Sequence, residues 1–160
     1  TDGCPGGDDI EILWQFGKYY KSGVDAFMKQ ARESGKALTN IHHSDFIGRM
    51  DLAYAAADVV ISRSGASTVS ELCAAHKAAI FVPSPNVAED HQTHNAMALV
   101  RKDAAILVKD SEAQEKLLPA AIELLADSER VRSMQENIAK LAKTDAAMTI
   151  AEEAYKLIGK

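Results

Sequence analysis

The sequence predicts an α/β fold: a mostly parallel, Rossmann-like sheet with helices on both faces. Five short stretches rich in β-branched or aromatic residues alternate with helical patterns or helix-sized crossovers, which is typical of parallel sheets. One of them, residues 59–61, is followed at once by a glycine turn and a helical pattern. These observations predict a single domain over residues 10–160, preceded by a flexible lead-in over residues 1–9.

The individual elements follow from local patterns. Branched and aromatic residues, or continuous apolar runs, mark the strands, and apolar residues at helical spacing mark the helices. Gly35 ends the first helix, and Ser44 or Asp45 is expected to cap the second. The predicted strands are 10–16, 37–42, 59–61, 79–83 and 104–108, and the predicted helices are 19–34, 46–56, 68–76, 90–100, 112–126, 128–142 and 145–158.

The composition agrees with a single domain and limits the classes of molecule that the chain is expected to bind. A chain of 160 residues with 47% hydrophobic content is long enough for one core. The net charge is −5 and the basic residues are scattered, which argues against nucleic acid as a partner. Long apolar runs and a leader pattern are lacking, so a soluble, cytoplasmic protein is expected. Cys4 and Cys73 have no C-x-x-C spacing, and we expect both thiols to be free.

The turn after residues 59–61 is the strongest candidate for a binding site. Gly65 allows a tight turn or the close approach of a ligand, while Ser64, Ser67 and Thr68 are candidate helix caps. The unpaired N–H groups of a first helical turn attract anions, phosphates above all. The sequence therefore predicts a phosphate-binding turn here.

Several further residues are expected at the same edge of the sheet. In parallel α/β folds, ligands bind outside the carboxyl ends of the strands, so loops that follow different strands meet there. The residues placed near one another by this rule are Phe46, Ile47, Gly65, Ala66, Glu71, His91, Gln92 and Asn95.

Two long motifs resemble a known family. They are D-F-I-G-R-M-D-L-A-Y-A-A-A-D-V-V-I-S-R-S-G-A-S-T-V-S-E-L and F-V-P-S-P-N-V-A-E-D-H-Q-T-H-N-A, followed by D-A-A-I-L-V. They look like the C-terminal half of the MurG family of peptidoglycan N-acetylglucosaminyltransferases, which are inverting enzymes of the two-Rossmann-domain (GT-B) class. The resemblance implies binding of UDP-N-acetylglucosamine and transfer of its sugar to lipid I, giving lipid II, by a peripheral enzyme on the cytoplasmic face of the bacterial inner membrane.

The resemblance also implies roles for particular residues. Phe46 and Ile47 match the uracil-binding segment, in which the Ile main chain bonds the base, and Glu71 matches the carboxylate that binds the ribose hydroxyls. Ala66, Ser67 and Thr68 match the turn whose N–H groups meet the diphosphate and sugar. Gln92 and Asn95 match amides that read sugar hydroxyls, and His91 stands where the family often has a second glutamine. The resemblance implies no cofactor and no metal, so His91 and His94 are read as surface or sugar-contact residues.

Two alternatives remain open at this point. Thr68-x-x-Glu71 also fits a capping box, in which the carboxylate turns back to its own helix rather than to a ribose. For the function, a UDP-N-acetylglucosamine 2-epimerase half and a non-catalytic nucleotide-binding module are the alternatives to a transferase.

The family pattern begins earlier than this sequence does. A first strand with a Gly-rich turn and the acceptor-binding N-terminal half, which contacts lipid I and the membrane, precede the matching region in the family. We therefore expect the isolated chain to transfer no sugar. We also expect strand edges freed by the lost central strand to favour self-association.

Overall fold

The computed structural model describes residues 9–36, 38–86 and 90–158, and it is α/β as predicted. The chain divides into two compact units, Thr1–Ala56 and Ala57–Lys160. The single domain over residues 10–160 stays a prediction, and the lead-in lies outside the described residues except for Asp9. The strands and long helices are β1 (Ile12–Gln15), α1 (Lys21–Glu33), β2 (Ile41–Ser44), α2 (Met50–Ala56), β3 (Val59–Ser62), α3 (Ala66–Ala74), β4 (Ala78–Phe81), α4 (His91–Val100), β5 (Ala105–Leu107), α5 (Ala113–Ala126), α6 (Ser128–Ala139) and α7 (Ala146–Ile158).

The first unit contains a two-stranded parallel sheet. β1 pairs with β2, with Ile12 opposite Ile41, and α1 connects the two strands. One face of α1 is buried through Val24, Met28 and Ala31, which stand at helical spacing. The helical pattern of residues 19–34 therefore identified this element correctly, although its first turn, Lys18–Tyr20, is a 3₁₀ helix.

β2 begins four residues later than predicted, and Ala37 lies outside the described residues. The chain first closes α1 with a turn in which the Lys36 N–H donates to the Ala31 carbonyl, and Gly35 has a φ of 74°. The buried Asn40 then donates from Nδ2 to the Ile10 carbonyl at 2.8 Å. The main-chain carbonyl of Asn40 accepts a hydrogen bond from the Ile12 N–H at 2.8 Å. Asn40 thus fixes where β1 and β2 start to pair.

The second unit contains a three-stranded parallel sheet in the order β3, β4, β5. Val60 lies opposite Ala79, and Ile80 lies opposite Ile106. The parallel pairing predicted from the alternating pattern is confirmed, but the strands of the described residues form two parallel sheets rather than one. β4 is the central strand, and all four of its residues are buried.

The core of the second unit lies on both faces of β4. Ala78 and Ile80 pack with α5 and α6 in a cluster that includes Leu124 and Met134. Phe81 alternates with them onto the opposite face and is itself fully buried. The buried residues of α3 and α4 are Leu72, Cys73, Ala96 and Leu99. Burial raises the pKa of the Cys73 thiol, which is free as predicted.

β3 is less buried than its β-branched run suggests. Its residues are half-buried, apart from Ile61, which is 44% exposed. β3 is an edge strand of the three-stranded sheet, so only β4 pairs with it among the described residues.

The three C-terminal helices confirm the prediction from residue 112 onward. A 3₁₀ turn, Asp110–Glu112, leads into α5, and the Asp127 side chain caps α6 by accepting from the Arg130 N–H at 2.9 Å. α7 buries none of its side chains. None of the helices in the described ranges has the length and apolar character that crossing a membrane requires.

Two isoleucines of the same sheet provide a test of this packing. Ile80→Ala in β4 removes a side chain with no exposed area, and we expect it to lower the free energy of unfolding by about 2–5 kcal/mol. Ile61→Ala in the edge strand makes the same chemical change at an exposed position, and we expect a loss of about 1 kcal/mol. Urea unfolding of both variants measures the difference, and equal losses would contradict the burial described for β3.

Candidate functional site

The turn between β3 and α3 has the predicted strand, turn and helix order. Gly65 is the N-cap of α3, with φ −61° and ψ 149°, an extended conformation open to any residue. A Cβ at Gly65 would meet no described protein atom within 4 Å. The turn therefore does not require glycine for its torsion angles. The structural feature of Gly65 that could matter for a ligand is the open space in front of its backbone.

None of the three predicted caps holds the start of α3. The helix begins at Ala66, two residues earlier than predicted, and no side chain caps Gly65. Ser67 and Thr68 already belong to the first turn, as the bond from the Val69 N–H to the Gly65 carbonyl shows. A helix leaves its first N–H groups without partners inside the helix, and here they belong to Ala66, Ser67 and Thr68. This arrangement favours an anion.

Ser64, the third predicted cap, instead connects the turn to α4. It has no exposed area, and its Oγ donates to the Gln92 carbonyl at 2.8 Å. The Ser64 carbonyl accepts from Asn95 Nδ2 at 3.1 Å. The turn of α3 and the first turns of α4 are therefore joined by two hydrogen bonds to one buried residue.

The same bonds fix how the two predicted sugar-binding amides are oriented. Gln92 Oε1 accepts from the Ser84 N–H at 2.8 Å, which leaves Gln92 Nε2 as the end that can donate elsewhere. Because Asn95 uses Nδ2 for the Ser64 carbonyl, its Oδ1 is the end that can accept. The orientation is unambiguous in both cases, since a backbone N–H needs an acceptor and a carbonyl needs a donor.

Arg63 ties together the carboxyl ends of the strands around this turn. Its Nη1 donates to the Val82 and Pro83 carbonyls at 3.1 and 3.2 Å. The same guanidinium forms an ion pair with Asp110, just after β5. The guanidinium therefore links the segments that follow β3, β4 and β5.

Glu71 is an exposed residue on the second turn of α3. The structure excludes the capping box in which Thr68 would be the N-cap, because Thr68 is the third residue of the helix. Of the two readings of Glu71 left open by the sequence, only the capping box is removed by this geometry. Its role toward a ribose stays a prediction.

Phe46 and Ile47 belong to the first unit, in a loop rather than in a helix. The helix predicted from residue 46 begins only at Met50, because the Ser44 hydroxyl bonds both the N–H and the carbonyl of Phe46 in a local turn. The Ile47 N–H donates to Gln15 Oε1 at 2.8 Å, which leaves the Ile47 carbonyl as its remaining main-chain group. Phe46 is 66% exposed.

Charged groups mark the start of α2 after this loop. Arg49 donates from Nε and Nη2 to the two carboxylate oxygens of Asp51 at 2.8 and 2.6 Å. The guanidinium lowers the pKa of Asp51, which stands in the first turn of the helix.

A groove of about 480 Å³ lies at the carboxyl ends of β4 and β5, and none of the predicted site residues lines it. Its walls include Ser84, Thr93 and Lys109. The residues that sequence reasoning missed are partners of the predicted ones: Gln15 for Ile47, Ser84 for Gln92, and Ser64, which stood in the motif only as a possible cap.

The fold and the turn define a Rossmann-like α/β protein with an anion-favouring helix start at the carboxyl end of a parallel strand. Within that class the family is specific: the glycosyltransferase family 28 C-terminal domain matches residues 4–152, and the chain belongs to this family. The family resemblance carried by the two long motifs is thereby confirmed.

Relatives of known name agree with this assignment. The chain is 53% identical over 150 residues to the UDP-N-acetylglucosamine–N-acetylmuramyl-(pentapeptide) pyrophosphoryl-undecaprenol N-acetylglucosamine transferase of Bacteroides thetaiotaomicron, covering 94% of this chain and 39% of that protein. The enzyme of the same name from Parabacteroides distasonis is 47% identical over 152 residues, covering 95% and 40%. The chain thus spans about two fifths of the length of the relatives it matches.

Solved structures give the same fold. The crystal structure of Acinetobacter baumannii MurG matches with a TM-score of 0.76 and 29% identity, covering 91% of this chain and 41% of that one. The glycotransferase of kitacinnamycin matches with a TM-score of 0.64 at 19% identity, which supports the fold alone. The prediction of a GT-B C-terminal fold is confirmed.

The bond between Gln15 and Ile47 can be tested by itself. Gln15→Ala removes the acceptor of the Ile47 N–H, and we expect amide hydrogen exchange at Ile47 to accelerate about fivefold, as the loss of one ordinary hydrogen bond implies. The amide of Phe46 bonds Ser44 instead and serves as the internal control. Unchanged exchange at Ile47 would contradict the described bond.

Proposed function

We propose that the chain is the UDP-N-acetylglucosamine-binding half of an inverting glycosyltransferase that adds N-acetylglucosamine to lipid I in peptidoglycan synthesis. The observation that carries the proposal is 53% identity, over 94% of this chain, to a transferase whose name states that donor and acceptor. In the proposed enzyme, lipid I and the cytoplasmic face of the membrane are contacted by the part of the relatives that this chain does not span.

The α3 turn is proposed to bind the diphosphate. This turn attracts anions, because it combines the N–H groups of Ala66, Ser67 and Thr68 with the positive end of the α3 dipole. During displacement at the anomeric carbon, negative charge grows on the departing UDP, and preorganised N–H dipoles stabilise it without reorganising. The open space in front of Gly65 allows the phosphates to approach the backbone closely.

The amides of α4 are proposed to read the sugar with opposite hydrogen-bonding roles. Gln92 donates from Nε2 to a sugar oxygen, because its Oε1 is held by Ser84. Asn95 accepts a hydrogen bond from a sugar hydroxyl at Oδ1, because its Nδ2 donates to the Ser64 carbonyl. His91, exposed at the start of α4, is proposed to contribute a further hydrogen bond to a sugar hydroxyl.

Glu71 is proposed to bind the ribose. Its carboxylate has two acceptor oxygens, which match the two hydroxyls of a ribose diol. Its place on the second turn of α3, directly after the proposed diphosphate turn, follows the order of groups in a nucleoside diphosphate.

Ile47 and Phe46 are proposed to hold the uracil. With its N–H bonded to Gln15, the Ile47 main chain offers a carbonyl, which accepts a hydrogen bond from the base. Uracil carries a hydrogen on N3, and cytosine has a lone pair there. This difference gives a physical reason for preferring a uridine nucleotide.

The Glu71 proposal predicts a binding loss without a stability loss. Glu71→Gln keeps one oxygen acceptor but removes the charge, and we expect binding of UDP to weaken by about 1–3 kcal/mol, as for a charge-assisted hydrogen bond. A loss of melting temperature through a broken capping box is excluded, because Thr68 is not the N-cap of α3. Calorimetric titration and thermal unfolding measure the two quantities.

Glu123→Gln is the matched control, since it removes the same charge from an exposed position of α5. It should change neither quantity. Unchanged UDP affinity in Glu71→Gln would refute the ribose assignment.

The Ile47 proposal predicts discrimination between bases. We expect CDP to bind at least about tenfold more weakly than UDP, because the carbonyl of Ile47 would face the N3 lone pair of cytosine. In Gln15→Ala the Ile47 N–H is released and can serve cytosine N3, so the ratio of the two affinities should fall. Equal affinities for UDP and CDP in the unmodified chain would contradict the proposal.

A further inference from the structure

Ser64 contacts both segments that the proposed function assigns to the donor, although no role toward the donor has been assigned to it. It is fully buried between the turn that begins α3 and the first turns of α4. A buried hydroxyl costs free energy unless it is hydrogen-bonded, and here it donates to the Gln92 carbonyl at 2.8 Å.

The bonds of Ser64 run in both directions between the two segments. The Ser64 hydroxyl donates a hydrogen bond to the Gln92 main-chain carbonyl of α4, and the Ser64 carbonyl accepts one from Asn95 Nδ2 at 3.1 Å. The side chain of Gln92 is held separately, because its Oε1 accepts a hydrogen bond from the Ser84 N–H. Ser64 therefore bonds the side chain of Asn95 and the main chain of Gln92, while the Gln92 side chain is held by the Ser84 N–H.

We propose that Ser64 is a positioning residue that couples the diphosphate turn to the sugar-binding amides of α4. This inference rests on the proposed function, because it concerns the same donor. Ser64 does not touch the ligand in this proposal. It sets the position of Gln92 and Asn95 relative to the N–H groups of α3, and thereby the position of the sugar relative to its phosphate.

The diphosphate turn is also held by hydrogen bonds that do not involve the Ser64 hydroxyl. Removing the hydroxyl should therefore affect sugar binding and diphosphate binding differently. α3 keeps its bond from the Val69 N–H to the Gly65 carbonyl, and Arg63 keeps its bonds to Val82 and Pro83. Loss of the Ser64 hydroxyl therefore removes the bond to the Gln92 main-chain carbonyl of α4, while the bond from Asn95 to the Ser64 carbonyl and the supports of the diphosphate turn remain. Binding of the sugar should suffer, and binding of the nucleotide alone should not.

The experiment compares two ligands on one variant. For Ser64→Ala we expect the dissociation constant of UDP-N-acetylglucosamine to rise about fivefold, as for one lost hydrogen bond, with UDP changing by less than about twofold. Calorimetric titration of the 160-residue chain gives both constants. A merely structural role would lower the melting temperature without changing the ratio of the two affinities.

Ser70→Ala is the matched control. Its Oγ also donates to a backbone carbonyl, that of Ala66 at 3.0 Å, but the bond stays within α3. Both dissociation constants should remain unchanged in this variant. If Ser64→Ala fails to fold, Ser64→Cys replaces it, because it fills the buried volume and exchanges the hydroxyl for a weaker S–H donor. The same selective loss is expected there, at a smaller size.

The outcomes separate this inference from the proposed function. A selective loss of affinity for the sugar nucleotide supports the positioning role. Equal losses for both ligands, or no loss, in a chain whose unmodified form binds UDP-N-acetylglucosamine would overturn the role of Ser64 alone. An unmodified chain that binds neither ligand would overturn the proposed function and this inference together.

Discussion

The second unit depends on one constraint: β4 is buried along its whole length and pairs in parallel on both sides. A strand covered on both faces must be apolar throughout, and Ala-Ala-Ile-Phe meets that requirement. Parallel pairing then places the carboxyl ends of β3, β4 and β5 at one edge of the sheet. The loops at that edge need no apolar residues for the core, so their polar side chains can bond one another and a ligand.

The sequence predicted the elements well where one face or one strand is continuously apolar. The predicted bounds of β4, α1 and α5 agree with the structure within a few residues, because burial imposes a periodic or continuous apolar pattern on the sequence. Helix starts were predicted less well. Ser44 and Ser64 are residue types that favour helix caps, but Ser44 bonds the backbone of Phe46 in a local turn and Ser64 bonds α4. A cap preference is a local rule, and it cannot anticipate a partner 28 residues away.

The candidate site shows the same division between local and distant information. The turn after β3 was recognisable because strand, glycine and helix are adjacent in sequence, and the family motifs supplied roles for residues such as Glu71 and Gln92. What determines which end of each amide faces outward is a set of bonds between Ser64, Ser84 and α4. Residue type gives an amide both a donor and an acceptor, and only the folded arrangement decides which of them remains available.

The orientation of these amides bears on the proposed chemistry as well as on binding. N–H groups that meet the diphosphate stabilise charge both before and during departure of UDP, whereas groups that hold the sugar determine where the anomeric carbon lies. Displacement requires the acceptor oxygen to approach that carbon in line with the departing phosphate oxygen, so a small rotation of the sugar costs rate even when affinity is kept. The buried hydroxyl of Ser64 joins the turn before α3 to the main chain of α4, and so connects the two sets of groups. In the proposed transferase, Ser64 therefore influences the geometry of the bond between the anomeric carbon and the departing phosphate oxygen, although Ser64 contacts neither atom.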